Sequence, residues 1–99
     1  MKLPVRLRPE VVGDLTQAAD WYNEQRRNLG NEFVEAAYAA FEILAERAES
    51  FPPVRRDVRR ALMKRFPYAI YFRRDPDAVI IFVVIHTARP PRVWRKRLT

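Results

Sequence analysis

The sequence has no cysteine, only two glycines and one histidine in 99 residues, and no apolar run longer than the eight residues 78–85. Without cysteine there is no disulfide framework and no thiolate-ligated metal site, and the composition fits a reducing compartment. A single histidine with no HxxxH spacing leaves nothing to close a coordination sphere, so neither a metal nor any other cofactor is expected. A membrane-spanning helix needs about 20 apolar residues, so no membrane association is expected. Residues 1–9 (MKLPVRLRP) alternate charged and apolar side chains where a signal peptide would need an unbroken apolar run, which makes the cytoplasm the expected location. Acidic groups are scarce outside one region. Residues 10–49 hold nine acids against three bases, a balance of −6, whereas the rest of the chain holds sixteen bases against three acids, a balance of +13. One acidic-to-neutral surface and one strongly positive surface follow, the second suited to nucleic acid or to an acidic protein segment.

The apolar content of 48% is that of a folding chain, and 99 residues suffice for one core and not two, so a single domain over residues 1–99 is expected. Residues 5–8 alternate in the period of a strand before Pro9 stops them. From Pro9, a favourable first-turn residue, Val11, Leu15, Ala18, Tyr22 and Leu29 fall on one helical face, with Gly30 as the expected C-terminal stop. Asn31 then caps a second helical pattern carrying Phe33, Ala37, Phe41, Leu44 and Ala48, which ends before Phe51-Pro52-Pro53. So short a connection makes the two helices an antiparallel hairpin. After Pro53 the period becomes two: a strand over residues 60–65, a second over 68–73, a turn at Arg74-Asp75-Pro76-Asp77, and a third over 78–86 whose nearly continuous Val/Ile/Phe run predicts a central position covered on both faces. The reading is an α+β domain: a strand, an antiparallel helical hairpin, then a three-strand antiparallel meander, the hairpin packed on one face of the sheet. The tail from Arg89 to Arg97 has five cations and no acid. Lying beyond the last strand, it is expected to carry function more than stability.

Four motifs stand in order along nearly the whole chain: Asp14-Leu15-x-x-Ala18-x-x-Trp21-Tyr22, Leu29-Gly30-x-x-Phe33, Arg65-Phe66-Pro67-Tyr68-x-Ile70-x-Phe72 and His86-x-x-Arg89-x-Pro91-x-x-Trp94. Together with the element order they resemble the RelE/ParE toxin superfamily of type II toxin–antitoxin systems, and most closely its ParE-like branch. The resemblance implies a growth-inhibiting toxin neutralised by a cognate antitoxin with an acidic C-terminal segment. ParE-type members act on DNA gyrase, whereas RelE-type members are metal-independent endoribonucleases that cut messenger RNA in the ribosome.

The candidate target- or antitoxin-binding residues are Arg60, Lys64, Arg65, Arg73, Arg89, Arg92, Trp94 and Arg95. On a regular strand Arg60 and Lys64 would point the same way. If the chain were a nuclease, the catalytic candidates would be Arg60, Lys64, His86 and Arg89, because RNA cleavage without metal needs a base, cations to stabilise the phosphorane and an acid for the leaving oxygen. The resemblance also marks departures from that pattern: Leu62 and Ala69 stand where RelE-like nucleases tend to carry cations, and the tail aromatic is Trp94 instead of tyrosine. An indole donates a hydrogen bond and does not titrate. His86 is read as closing the central strand and donating to a nearby carbonyl. Trp94, flanked by Arg92 and Arg95, is either a stacking platform or an anchor that pins the tail. The depleted acid–base set favours a gyrase-binding toxin over a ribosome-dependent nuclease.

Overall fold

The computed structural model describes residues 2–98. A short strand, β1 (Val5–Leu7), leads through extended Arg8 into Pro9, whose fixed φ suits the first turn of helix α1 (Pro9–Gln25). The buried stripe of α1 is Val11, Leu15, Ala18 and Tyr22, as its spacing implied, but Leu29, expected on the same face, lies beyond the end of α1 at Gln25 and begins the next helix. The expected stop at Gly30 and cap at Asn31 are corrected. The chain leaves α1 at Arg26, and Asn28 takes the left-handed conformation (φ 70°) that starts helix α2 (Leu29–Arg47). Asparagine tolerates this region better than most residues, and its side-chain oxygen accepts from the Asn31 amide at 2.6 Å. Gly30 lies inside α2 at the crossing with α1. A Cβ there would stand 2.1 Å from the Ala19 carbonyl oxygen, and the Gly30 N–H donates to Asn23 Oδ1 at 2.7 Å. Glycine is required by close approach, a reason the local pattern does not reveal.

A 3-10 turn (Ala48–Ser50) leads to strands β2 (Pro53–Arg55), β3 (Val58–Leu62), β4 (Tyr68–Arg74) and β5 (Val79–His86), and the tail forms helix α3 (Pro91–Arg97). The sheet order is β1-β5-β4-β3-β2, antiparallel throughout except for β1 beside β5. Two elements exceed the expected meander. β2 forms a tight hairpin with β3 around Arg56 (φ 52°), and α3 makes the tail regular. β3 also stops at Leu62, short of the expected Arg65.

The helical hairpin covers the face that carries Ala61, Ile70, Phe72, Ile81 and Val84, where the rings of Tyr22, Phe33, Phe66 and Tyr68 pack against one another. The opposite face holds Val58, Ala69, Tyr71, Phe82, Val83 and Ile85, with Val93, Trp94 and Leu98 of the tail packed on it. β5 is therefore covered on both sides, as its apolar run implied. The tail is correspondingly part of the fold: α3 shields the second face of the sheet, against the expectation that it serves function more than stability.

β5 carries a bulge, since Tyr71 pairs with Val83 and Phe72 with Ile81, leaving Phe82 as the extra residue. β1 pairs only with Val79, Ile80 and Ile81. Beyond them the outer edge of β5 meets side chains. Asp14 Oδ2 accepts from the Val84 N–H at 3.1 Å, and Arg97 donates to both Asp14 oxygens at 3.1 and 2.8 Å and to the Phe82 carbonyl at 3.3 Å. One carboxylate thus joins α1, β5 and α3.

Candidate target-binding surface

β3 brings Val58, Arg60 and Leu62 onto the face shared with α3, because alternate residues of a strand point the same way. Arg60 sits opposite Tyr71, its guanidinium carbon 5.9 Å from the ring centre. Trp94 stacks on the same tyrosine with centroids 4.3 Å apart and planes 16° from parallel. The Arg60 Nε is buried without a hydrogen-bond partner, while Leu62, two residues on, is 60% exposed. The guanidinium of Arg95 lies 5.4 Å from the Trp94 ring, and those of Arg73 and Arg8 lie 5.3 and 4.4 Å from the Phe82 ring. The result is a ladder of guanidinium groups on aromatic faces with an exposed leucine beside it, a composition suited to contact with a macromolecule. Burial pushes the Tyr71 phenol up from its ordinary value, with Arg60 pulling weakly the other way. The ring is an apolar support here more than an acid.

The predicted cations separate into two kinds. Arg60, Lys64, Arg89, Arg92 and Arg95 make no ion pair among the described residues, and Lys64, Arg89, Arg92 and Arg95 are exposed. Arg65 and Arg73 are internally paired. Arg65 bonds Glu32 of α2 at 2.6 Å, where Arg26 also reaches it, and these two cations hold the Glu32 carboxyl below its ordinary value. Arg73 grips Asp75 with contacts of 2.6 and 3.2 Å, which lowers the Asp75 carboxyl. Lys64 follows the end of β3, so the expectation that it shares the pleat with Arg60 does not hold.

His86 is opposite Tyr68, on the hairpin side of the sheet. Its Nδ1 accepts from the Ala88 N–H at 3.0 Å, the reverse of the expected donation to a carbonyl. Tyr68 packs edge-on against the ring at 5.3 Å, and burial raises that phenol as well. Both residues line a groove of about 560 Å3 between α1, the end of β5 and the start of α3, together with Asp14, Gln17, Trp21 and Arg89. The nuclease candidates are therefore not assembled: Arg60 stands on one face of the sheet and His86 on the other. Among the described residues no group of three or more His, Asp or Glu side chains could hold a metal ion.

The sequence reading missed Tyr71, Asp14 and Arg97 as organisers of this surface. Asp14 carried a signal, a carboxylate one turn from the apolar stripe in a motif with Trp21. Arg97 carried none beyond its charge.

The profile of the ParE toxin of type II toxin–antitoxin system, parDE, matches residues 5–91. The chain belongs to the ParE toxin family. Its fold superposes on a solved chain described as "Chromosomal ParDE TA system from P. aeruginosa" with a TM-score of 0.77, over 86% of this chain and 96% of that one. At 17% identity this likeness is one of fold. Comparison with curated proteins gives no match. The motifs that suggested the family fall on the hairpin crossing, the Phe66–Tyr68 corner and the junction of β5 with α3, the points where this ParE toxin is tied together.

Proposed function

We propose that this ParE toxin arrests growth in the cytoplasm by binding and poisoning DNA gyrase, and that a cognate antitoxin with an acidic C-terminal segment neutralises it. The observation that carries the reading is the separation of Arg60 from His86 by the thickness of the sheet. Acid–base cleavage of RNA needs a proton carrier beside the cations that stabilise the phosphorane. Beside Arg60 stands instead a tyrosine made less acidic by burial, itself stacked on an indole that does not titrate. The same face pairs exposed Leu62 with Arg60, Arg95 and Trp94, the mixture of apolar anchor and arginine that concentrates binding energy in protein interfaces. Its positive charge also favours an acidic antitoxin, through fast, salt-dependent association. In this reading Arg60, Arg92, Trp94 and Arg95 bind and orient the target, and the protein moves no proton. The test is potency in a gyrase supercoiling assay. Arg60→Ala and Arg95→Ala each lower it in a graded way, whereas loss of a proton carrier would cost on the order of a hundredfold. Codon-phased cuts in ribosome-bound transcripts, abolished by His86→Ala, would overturn this reading in favour of a RelE-type endoribonuclease.

A further inference from the structure

On the face of the sheet that α3 joins, one cross-strand row runs the full width. Val58 pairs with Arg55 on one side and Arg73 on the other, Arg73 pairs with Ile80, and Ile80 pairs with Arg6. Directly paired residues point to the same side. Val58 and Ile80 belong to the cluster on which the tail packs, so Arg55, Arg73 and Arg6 stand on that face as well. They occupy every second strand, about 9.5 Å apart at the usual strand spacing, for a span of about 19 Å. Arg8, over the Phe82 ring, and Arg60, one row nearer α3, border them. The hairpin between β2 and β3 adds a cation at its tip. It turns through two residues, Arg56 and Asp57, and Arg56 has φ 52°. Such a loop normally gives its positive-φ position to glycine, asparagine or aspartate, so the exposed arginine stands there against its backbone preference.

We propose that this arginine row and the hairpin tip seat the phosphodiester backbone of duplex DNA, so that the chain grips DNA itself beside the surface around Leu62 and Trp94. The acids near the row act on one cation: Asp75 bonds Arg73, and Asp57 adds its charge from the loop. Arg6, Arg8, Arg55, Arg56 and Arg60 make no ion pair among the described residues, and the Arg60 Nε is buried without a hydrogen-bond partner. All of these cations are arginines, whose planar forks match phosphate with two donors at once. Between them the apolar side chains Val58 and Phe82 are buried. A protein partner would need an exposed apolar anchor at the centre of its contact, which this half of the face lacks, whereas a polyanion needs only charge. A span of about 19 Å also exceeds the major-groove width of about 12 Å, so the ends of the row reach phosphates on both sides of a groove.

The test is fluorescence anisotropy of a short labelled DNA duplex with the full-length chain alone, without gyrase. Phosphate contacts from these arginines predict a slope of log affinity on log salt near about −4, a loss of about 250-fold between about 50 and 200 mM. Arg6→Gln combined with Arg55→Gln should cut the slope by about two and weaken binding alike on unrelated sequences. Arg56→Gly, which suits the left-handed backbone, should keep or raise the melting temperature while cutting the slope by about one. Arg27→Gln combined with Arg47→Gln removes the same charge from exposed positions of the helical hairpin and should leave binding nearly unchanged. Circular dichroism of every variant separates loss of binding from loss of fold. The proposal is overturned if no duplex binds at low salt, if the hairpin pair weakens binding as much as the row pair, if the row and tip substitutions have no effect, or if single-stranded RNA of equal length binds more tightly. Failure of the gyrase reading shows separately: a chain that binds DNA through this row yet leaves supercoiling unimpaired sinks that reading and not this one, and a gyrase poison that binds no DNA does the reverse.

Discussion

Replacing Asp14 with alanine should cost far more than its place on a helix surface suggests. The carboxylate, 15% exposed, accepts the Val84 N–H and two contacts from Arg97, itself 25% exposed. Removing it leaves a partly buried backbone donor without its partner, at about 1–3 kcal/mol, and breaks a charge-assisted pair worth about 1.5–3 kcal/mol before solvent screening. These terms overlap, and a total near 3 kcal/mol is expected for Asp14→Ala. Arg97→Ala keeps the Val84 bond and should cost about half as much, while Asp14→Asn, able to accept from Val84 but uncharged, should fall between. In a chain of this size each kcal/mol moves the melting temperature by about 4–8 °C. Urea denaturation of the two single variants and the double variant closes a thermodynamic cycle, with an expected coupling of at least about 1 kcal/mol. Strict additivity, or a loss below about 1 kcal/mol for Asp14→Ala, would refute the claim that this clasp ties the tail to the core.

Gly30→Ala forces a methyl into the Ala19 carbonyl and should destabilise by about 3 kcal/mol or more, measurable by thermal melting. The Glu32 carboxyl is held below its ordinary 4.5, first by the hydrogen bond from Arg65 and then by that from Arg26. Its contribution is thus present above pH 4.5 and lost as the pH falls through the lowered value, so Glu32→Gln should flatten the acid limb of the stability profile. Leu62→Asp, at a position 60% exposed, should leave the melting temperature nearly unchanged while lowering toxicity, read as colony survival on induction.

Where apolar periodicity was strong the sequence told the truth: the stripes of α1 and α2 and the uninterrupted run of β5 lie where their spacing put them. Features set by contact between distant segments were not legible. Gly30 reads as a helix stop because glycine often is one, yet its role depends on Ala19 in the facing helix. β2, with all three residues exposed, has no alternation to reveal it. In α3 the four cations masked a seven-residue helix with no fully buried residue, and its hold depends on Tyr71 and Asp14, far away in the chain. Of the candidate site residues, Arg60, Trp94 and Arg95 do share one surface. Arg65 and Arg73 are instead tied to carboxylates, and charge alone could not say which cations had partners.

The central claim, that a binding surface and not a catalytic centre makes this ParE toxin toxic, is tested most directly by adding the purified chain to DNA gyrase with relaxed plasmid and ATP. Supercoiling should fall and cleaved, gyrase-linked DNA accumulate in proportion to the chain added, with His86→Ala indistinguishable from the parent and Arg60→Ala weaker by a graded factor. Unimpaired supercoiling at saturating toxin, accompanied in translation extracts by messenger RNA cut in phase with codons, would contradict it.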